Sequence, residues 1–589
     1  MKRRGWICFI AAAAALSLAF FLLGRFMASR TASAEAPGSS VPWKSIAMMP
    51  FESLRDDKAD VYLAEGIHEE IVSRLAKMAD LKVISRTSTQ RYQSNPADLP
   101  SIAKQLGVAH ILKGSVQKTA DQVRVKVQLI NTQRGSQVWL ESYERKLAKV
   151  FEVESEIAKA IAIQLQVKLS ANEEQALRFE PTQNPEAYQA YLRALAYDGR
   201  SGDLILNRQK AVSFYKRAVQ LDPNFAAAWA KLSLVNSFLY FDGLTIVRDA
   251  AERALHAAER LEPRSPETLL AKGYYQCWIL GDDENARATF TQVRSASPGS
   301  SEAPAALVAI ARRLGDWDKS LAYSEQAVAL DPRNTDLLSD WALTYSMLRK
   351  FSMARKLYDR ALDIEPDNPE LMAEKASTYQ AEGDLKRAGE LLASVDARTA
   401  SVVCSLAKSY QLLLDRRYAE AAEFLRVRLS AFADISEEEK EGDRVSLALI
   451  QRLAGDSEEA KATAHAAQGA LEDLSSKEPA NPTWLFWLSR AYAAVGDKRG
   501  ALKAAERGAA LVANPKDAVS GPIYDENLAM IQAAVGEKNR AIERLRHLLR
   551  VAYGGVGPPV TPALLRLDPA WESLRGDPAF QKLCQDNAQ

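Results

Sequence analysis

The chain has 589 residues, with 76 Lys+Arg against 75 Asp+Glu for a formal net charge of +1. Its hydrophobic share of 47% and charged share of 26% sit near globular averages, which excludes a chain dominated by disorder. So even a charge balance also argues against nucleic acid as a main partner, because such binding draws on a basic surplus to release counterions.

Lys2, Arg3 and Arg4 precede an uncharged run from Trp6 to Gly24, and Arg25 and Arg30 follow it. A helix of that length spans roughly 28 Å, about one hydrocarbon core. Residues 1–30 are therefore expected to be a cytoplasmic tip and a transmembrane signal-anchor that meets the lipid bilayer through residues 6–24. The basic flank then directs the rest of the chain to the periplasmic side of a bacterial inner membrane. The alternative is a secreted periplasmic protein cleaved near Ala34, since Ala32-Ser33-Ala34 has a small-x-small pattern. Residues 31–42, small and polar, read as a linker.

A small α/β unit is expected over residues 43–170. Ser45 to Phe51 reads as a short buried strand stopped by Pro50. Leu63, Ile67, Ile71, Leu75 and Met78 mark one face of a helix over Val61 to Met78. Leu81 to Ile84 is a strand, Leu99 to Leu106 a helix closed by Gly107, and Val108 to Lys113 a strand. Val123, Val125, Val127 and Leu129 alternate with Arg124, Lys126 and Gln128, and Gln137 to Tyr143 pairs back as a hairpin. Phe151 to Leu169 carries a helical stripe at Ile157, Ile161, Leu165 and Leu169.

The blocks SIAMMPFESL, VYLAEGIHEEIVSRLAKMADLKVISRTSTQRY and SIAKQLGVAHILKGSVQKTADQVRVKVQLINTQRGSQVWLESYERKL resemble the TolB amino-terminal-like domain. Met48-Met49 and Glu65-Gly66-Ile67 depart slightly from its usual residues. In that family the unit follows a membrane anchor and precedes tetratricopeptide repeats. It occurs in membrane-bound transcription activators, adenylate cyclases and protein kinases whose effector module precedes the anchor. Only five residues precede Trp6 here, so the resemblance implies the exported half of such a receptor standing alone.

Chemistry is sparse. Glu65, Glu69, Glu70 and His68 cluster at one helix, where a carboxylate–imidazole group is weighed against a solvated face. Lys113, Lys118, Arg124 and Lys126 give a modest basic hairpin face, read mainly as a solvated strand. Cys277, Cys404 and Cys584 show no zinc spacing, and a Cys277–Cys404 disulfide stays open. No phosphate loop, hydrolase elbow or metalloprotease motif is present, so no metal, cofactor, small-molecule substrate or enzymatic activity is expected.

The rest of the chain repeats. Pro223, Pro263, Pro298, Pro332 and Pro366 end equivalent turns, at separations of 40, 35, 34 and 34. Gly281, Gly315, Arg349, Gly383 and Arg417 recur every 34 residues, and Gly455, Gly496 and Gly536 follow at 38, 41 and 40. Each is followed by a small residue such as Ala286, Ala354 or Ala388, where two helices approach closely. This pattern resembles the tetratricopeptide repeat, with about ten helix hairpins over residues 185–550 and a capping segment over 551–589. The expected fold class is thus multi-domain and mostly α, made of a transmembrane helix, a small α/β domain and an all-α superhelical solenoid.

Such a solenoid offers a groove for other proteins or peptides. The groove candidates are Tyr188, Tyr191, Trp229, Asn236, Tyr274, Trp341, Tyr345, Tyr379, Tyr410, Trp487 and Tyr492. Two readings stand: a membrane-anchored periplasmic scaffold, or a sensory component that relays to a separate cytoplasmic module.

Overall fold

The computed structural model describes residues 41–585, except 55–57, 91, 93–97, 120, 179, 201–203, 242–243, 433–435, 513–516 and 555–556. The expected fold class needs correction on one point. Among the described residues no helix is long and apolar enough to cross a membrane, so the described fold is an α/β unit joined to a helical array and contains no spanning helix. The run over residues 6–24 that carried that expectation, and the site near Ala34, lie outside the described residues.

The α/β unit is a sheet of β1 (Ser45–Met48), β2 (Glu52–Ser53), β3 (Lys82–Val83), β4 (His110–Thr119), β5 (Gln122–Asn131) and β6 (Ser136–Lys146). The strand order is β3-β1-β4-β5-β6, with β2 on β4. β1 runs parallel to both neighbours, while β4, β5 and β6 are antiparallel. All four residues of β1 are buried, as a central parallel strand covered on both faces requires.

Helices α1 (Lys58–Ala76) and α4 (Val150–Gln164) cover one face; α3 (Leu99–Leu106) covers the other, and α2 (Arg86–Thr89) precedes it. In β5, Val123, Val125, Val127 and Leu129 have no exposure, and the intervening Arg124 and Lys126 face solvent. α3 starts where Asp98 accepts the Ser101 N–H and stops at Gly107, whose φ of 63° is left-handed. α4 ends earlier than its apolar stripe foretells, because Gln166 turns left-handed at φ 53°. A short helix, α5 (Ala171–Arg178), leads out of the unit.

Twenty helices then pair in sequence as ten hairpins. They are α6 (Pro185–Asp198) with α7 (Leu204–Leu221), α8 (Ala226–Phe241) with α9 (Arg248–Leu261), α10 (Pro266–Tyr274) with α11 (Asp283–Ala296), and α12 (Glu302–Arg313) with α13 (Trp317–Leu330). Next come α14 (Thr335–Met347) with α15 (Phe351–Leu362), α16 (Pro369–Glu382) with α17 (Leu385–Leu391), and α18 (Val402–Leu414) with α19 (Tyr418–Ala431). The last are α20 (Glu437–Ala454) with α21 (Ser457–Lys477), α22 (Pro482–Val495) with α23 (Lys498–Leu511), and α24 (Ser520–Val535) with α25 (Lys538–Leu548).

The caps repeat with the hairpins. Asn184, Asn368 and Asn481 each precede a proline and accept N–H groups of the first turn of α6, α16 and α22. Asp282, Asp316, Asp384 and Asp497 cap the second helices α11, α13, α17 and α23 in the same way. The turns inside the last eight hairpins use a left-handed residue, and glycine supplies it at Gly281, Gly315, Gly383, Gly455, Gly496 and Gly536. Two turns use arginine instead: Arg349 at φ 56° and Arg416 at φ 61°. The second lies one residue before the position that the 34-residue spacing marks.

After α25 come α26 (Pro562–Leu567), a 3-10 turn at Pro569–Leu574 and α27 (Pro578–Gln585). Val560, Leu565, Trp571, Leu574 and Phe580 share a core with Ala529, Ala541, Ile542 and Leu545 of the last hairpin. Cys277, Cys404 and Cys584 are free and buried.

Candidate functional site: the inner face of the array

The α/β unit does not stand apart from the repeats. Ile67, Ile71 and Leu75 of α1 belong to one core with Tyr188, Tyr191, Leu192 and Leu195 of α6 and with Tyr215 and Phe225. The two helices cross closely at Gly66, where a Cβ would lie 2.6 Å from the Leu192 carbonyl oxygen. Further along, Lys77 pairs with Glu267 on α10 at 2.6 Å. A Cβ on Gly299, just before α12, would meet the Leu81 carbonyl at 2.8 Å. Ser85 and Ser88 donate to Asp331, at the turn into α14. The unit therefore packs on α6 and reaches the third, fourth and fifth hairpins at single contacts.

Of the groove candidates, this placement involves Tyr188 and Tyr191 most closely. Tyr188 and Tyr191 are 3% and 4% exposed, stacked 6.0 Å apart under α1 and α4, and Tyr188 donates to the buried Glu154 carboxylate. Trp229 is half-buried and donates to the Pro223 carbonyl at 2.9 Å, while buried Asn236 donates to the Leu232 carbonyl within its own helix. Tyr274 joins Phe238, Trp278 and Phe290 in an aromatic cluster. Trp341 and Tyr345 stack on each other, half-buried against the α14–α15 core. The Tyr379 ring lies beneath Arg355 at 4.6 Å and near Arg387 at 5.7 Å. Tyr410 donates to Asp568 at 2.8 Å, Trp487 packs on Gly442, and Tyr492 donates to Glu472 at 2.8 Å. The structure brings Tyr188 to Tyr191, Trp341 to Tyr345, Trp229 and Tyr274 to one core and Trp487 and Tyr492 to another, and no single site gathers them all.

The His68 cluster also separates. His68 points into the sheet core, its Nε2 3.3 Å from the Met48 carbonyl, and burial lowers its pKa to about 3. Glu65 faces Arg86 and Arg200, and Glu70 faces Arg74. Arg124 on the basic hairpin face pairs with Glu144 at 3.0 Å.

Two other features escape a motif search. One is an open cleft of about 600 Å³ lined by Glu365, Asp367, Asn368, Glu370, Thr399 and Ser401, between the starts of α16 and α18. Asp367 and Glu370 are exposed there. Beneath it, Glu374 accepts from Ser339, and burial with Glu370, Asp340 and Asp336 nearby raises its pKa to about 7. The other is a buried polar cluster where the C-terminal segment meets the array: Tyr410 (α18), Arg490 (α22), Glu526 (α24), Tyr553, Asp568 and Arg349. The arginine at position 349, where most repeats carry glycine, is the sequence signal that could have found it.

Glu526 accepts from Tyr553 at 2.7 Å, and burial first, with Asp568 adding, raises its pKa to about 7 against the opposing pull of Arg490 and Arg349. The folded protein thus holds a proton that the unfolded chain gives up. Its stability contribution is full below the ordinary carboxyl value and falls as pH rises through about 7. Glu526→Gln keeps the Tyr553 hydrogen bond without needing that proton. It is expected to stabilise the fold by about 2–3 kcal/mol at pH 8.5 and to change little at pH 5. Urea titrations at both values check this; equal shifts at the two pH values would contradict it.

The fold now defines a class: a tetratricopeptide-repeat protein carrying an N-terminal α/β unit. A tetratricopeptide repeat family profile matches residues 347–402. Residues 43–160 match the second domain of HilA/YgeH-like transcriptional regulators, which fits a receptor-type regulator without carrying the TolB name. A Rhizobium meliloti (strain 1021) protein named "Putative adenylate cyclase 3" is 34% identical over 207 residues, 34% of this chain and 34% of its own. The chain thus spans about a third of the length of this curated relative. Among solved structures, a tetratricopeptide repeat protein from Parabacteroides merdae is 16% identical, over 45% of this chain and 98% of its own, at TM-score 0.32. A human IFIT1 dimer with m7Gppp-AAAA is 14% identical, over 62% and 80%, at TM-score 0.35. At such overlap neither structure bears on function.

Proposed function

We propose that this protein is a scaffold that binds another protein through the open cleft at residues 365–401. The observation that carries this reading is that the cleft falls inside the span matched by the tetratricopeptide profile. It is also a stretch of repeat surface with exposed carboxylates, at Asp367 and Glu370, which suit a partner segment bearing Lys or Arg. Tyr188 and Tyr191 pack under α1 and Tyr410 donates to Asp568, so these three groove candidates are engaged by the chain itself.

A second reading, a sensory component of a signalling system, draws on the cyclase-named relative and the regulator-type α/β match. One experiment addresses both. A photo-crosslinking residue is placed in cells at Asp367 or Thr399, and at the exposed Glu458 on α21 as a control. The expected result is one protein captured from the cleft positions, absent from the control, and lost in the Asp367→Lys/Glu370→Lys variant. Equal capture at all positions overturns the scaffold reading. A captured cyclase or kinase would favour the second reading for the role of the complex.

A further inference from the structure

In a stack of helix hairpins each unit ordinarily touches only its neighbours. Here four successive intra-hairpin turns touch residues 151 to 211 positions away. The Ala518 N–H donates to the Arg313 carbonyl at 2.6 Å, beside the turn at Gly315. Arg349 donates to the carbonyls of Leu548 at 2.8 Å, Val551 at 2.7 Å and Val560 at 3.1 Å. Thr561 donates to the Ala381 carbonyl at 2.6 Å, and a Cβ on Gly383 would meet Leu567 at 3.2 Å. Arg416 donates to the Leu567 carbonyl at 2.9 Å.

Two aspects of this seam stand out. The first is its chemistry. The C-terminal segment holds the last hairpin through an apolar core, and holds the middle turns through hydrogen bonds, chiefly to backbone carbonyls. A seam of that polar kind separates more readily than an apolar one. The second is its backbone. The left-handed position is glycine at six turns and arginine at two, and those two arginines are the ones that reach the C-terminal segment. Leu548 ends α25 and Leu567 ends α26, so each guanidinium meets the unsatisfied carbonyls and negative dipole end of a helix. An arginine tolerated in a glycine conformation is explained by what its side chain holds.

We propose that the C-terminal segment, residues 548–554 with 557–568, is a releasable clasp, latched by Arg349 and Arg416, that holds the array in a closed curvature. Opening at the polar seam swings the last hairpin away and bares Tyr410 and the ends of α14, α16 and α18. The latch is a conformational device independent of the cleft reading, because its readouts need no partner.

The test uses the full chain with Arg349→Gly, Arg416→Gly and both together. Glycine relieves each left-handed turn while removing its latch, so the hairpins keep their thermal stability. Trypsin cleavage after Arg550 is expected to quicken about tenfold in the double variant, as a local opening grows more populated. The radius of gyration from solution scattering is expected to rise. Bridging Ala381→Cys to Thr561→Cys with a short bis-maleimide restores both readouts. Unchanged cleavage and scattering in the double variant overturn the proposal, as does loss of the whole array on melting, which would make the seam inseparable from the fold.

Discussion

Gly66→Val is expected to unseat the α/β unit from the repeats and to lower stability by about 3–5 kcal/mol, beyond the usual range for an overpacked core because backbone cannot move aside. The new Cβ would sit 2.6 Å from the Leu192 carbonyl oxygen and 2.7 Å from the Leu192 Cβ. Relief requires α1 and α6 to separate, and the core they share contains Ile67, Ile71, Tyr188, Tyr191 and Leu195. Gly66→Ala meets the same contact but regains about 1 kcal/mol of helix propensity, so its net loss is smaller. Urea unfolding followed by circular dichroism should show a second transition in the valine variant as the unit melts apart from the array. A valine variant that unfolds in one step at the wild-type midpoint would show that the two helices do not pack as described.

How far the sequence disclosed this architecture depends on the range of the signal. Local signals worked well: the alternation of Val123, Val125, Val127 and Leu129 gave β5, and the glycine spacing gave the hairpin turns. The strand after Gly107 proved longer than its apolar run, reaching Thr119, because its polar residues pair along β5. What no periodicity carries is contact between distant parts. Tyr188 and Tyr191 read as groove positions on the first helix of a hairpin, yet they lie in one core with α1. Tyr410 has an equivalent place and is met by Asp568, which comes 158 residues later. Gly66 carries no signal of its own in the sequence, where only its neighbours Glu65 and Ile67 depart from the family's usual residues, although α1 and α6 approach closely there. The inner face was therefore legible as helices and not as surface.

The buried charges at this same junction yield the second large effect. Arg74 is 5% exposed, with Nε 3.0 Å from Glu70, Nη2 3.9 Å from Glu154 and Nη1 donating to Ser155 at 3.1 Å. Glu154 has no exposure, and burial first, then Glu70, pushes its pKa well up. Arg74→Leu removes the one cation in direct contact with both carboxylates and is expected to lower stability by about 3–5 kcal/mol at pH 7, the loss typical of a buried pair broken from one side. Without Arg74 the buried Glu154 carboxyl rises further in the folded state, so stability returns as pH falls and the deficit is smaller at pH 5 than at pH 8. Glu154→Gln, by contrast, still accepts the Tyr188 hydroxyl and calls for no proton, so its loss stays near 1 kcal/mol or below. Combining Arg74→Leu with Glu154→Gln and Glu70→Gln should recover much of the deficit, since no uncompensated charge then remains under the tyrosines. Urea midpoints for these variants at both pH values decide the matter: a single-site loss that persists unchanged in the triple variant would assign the effect to lost arginine packing instead of to charge.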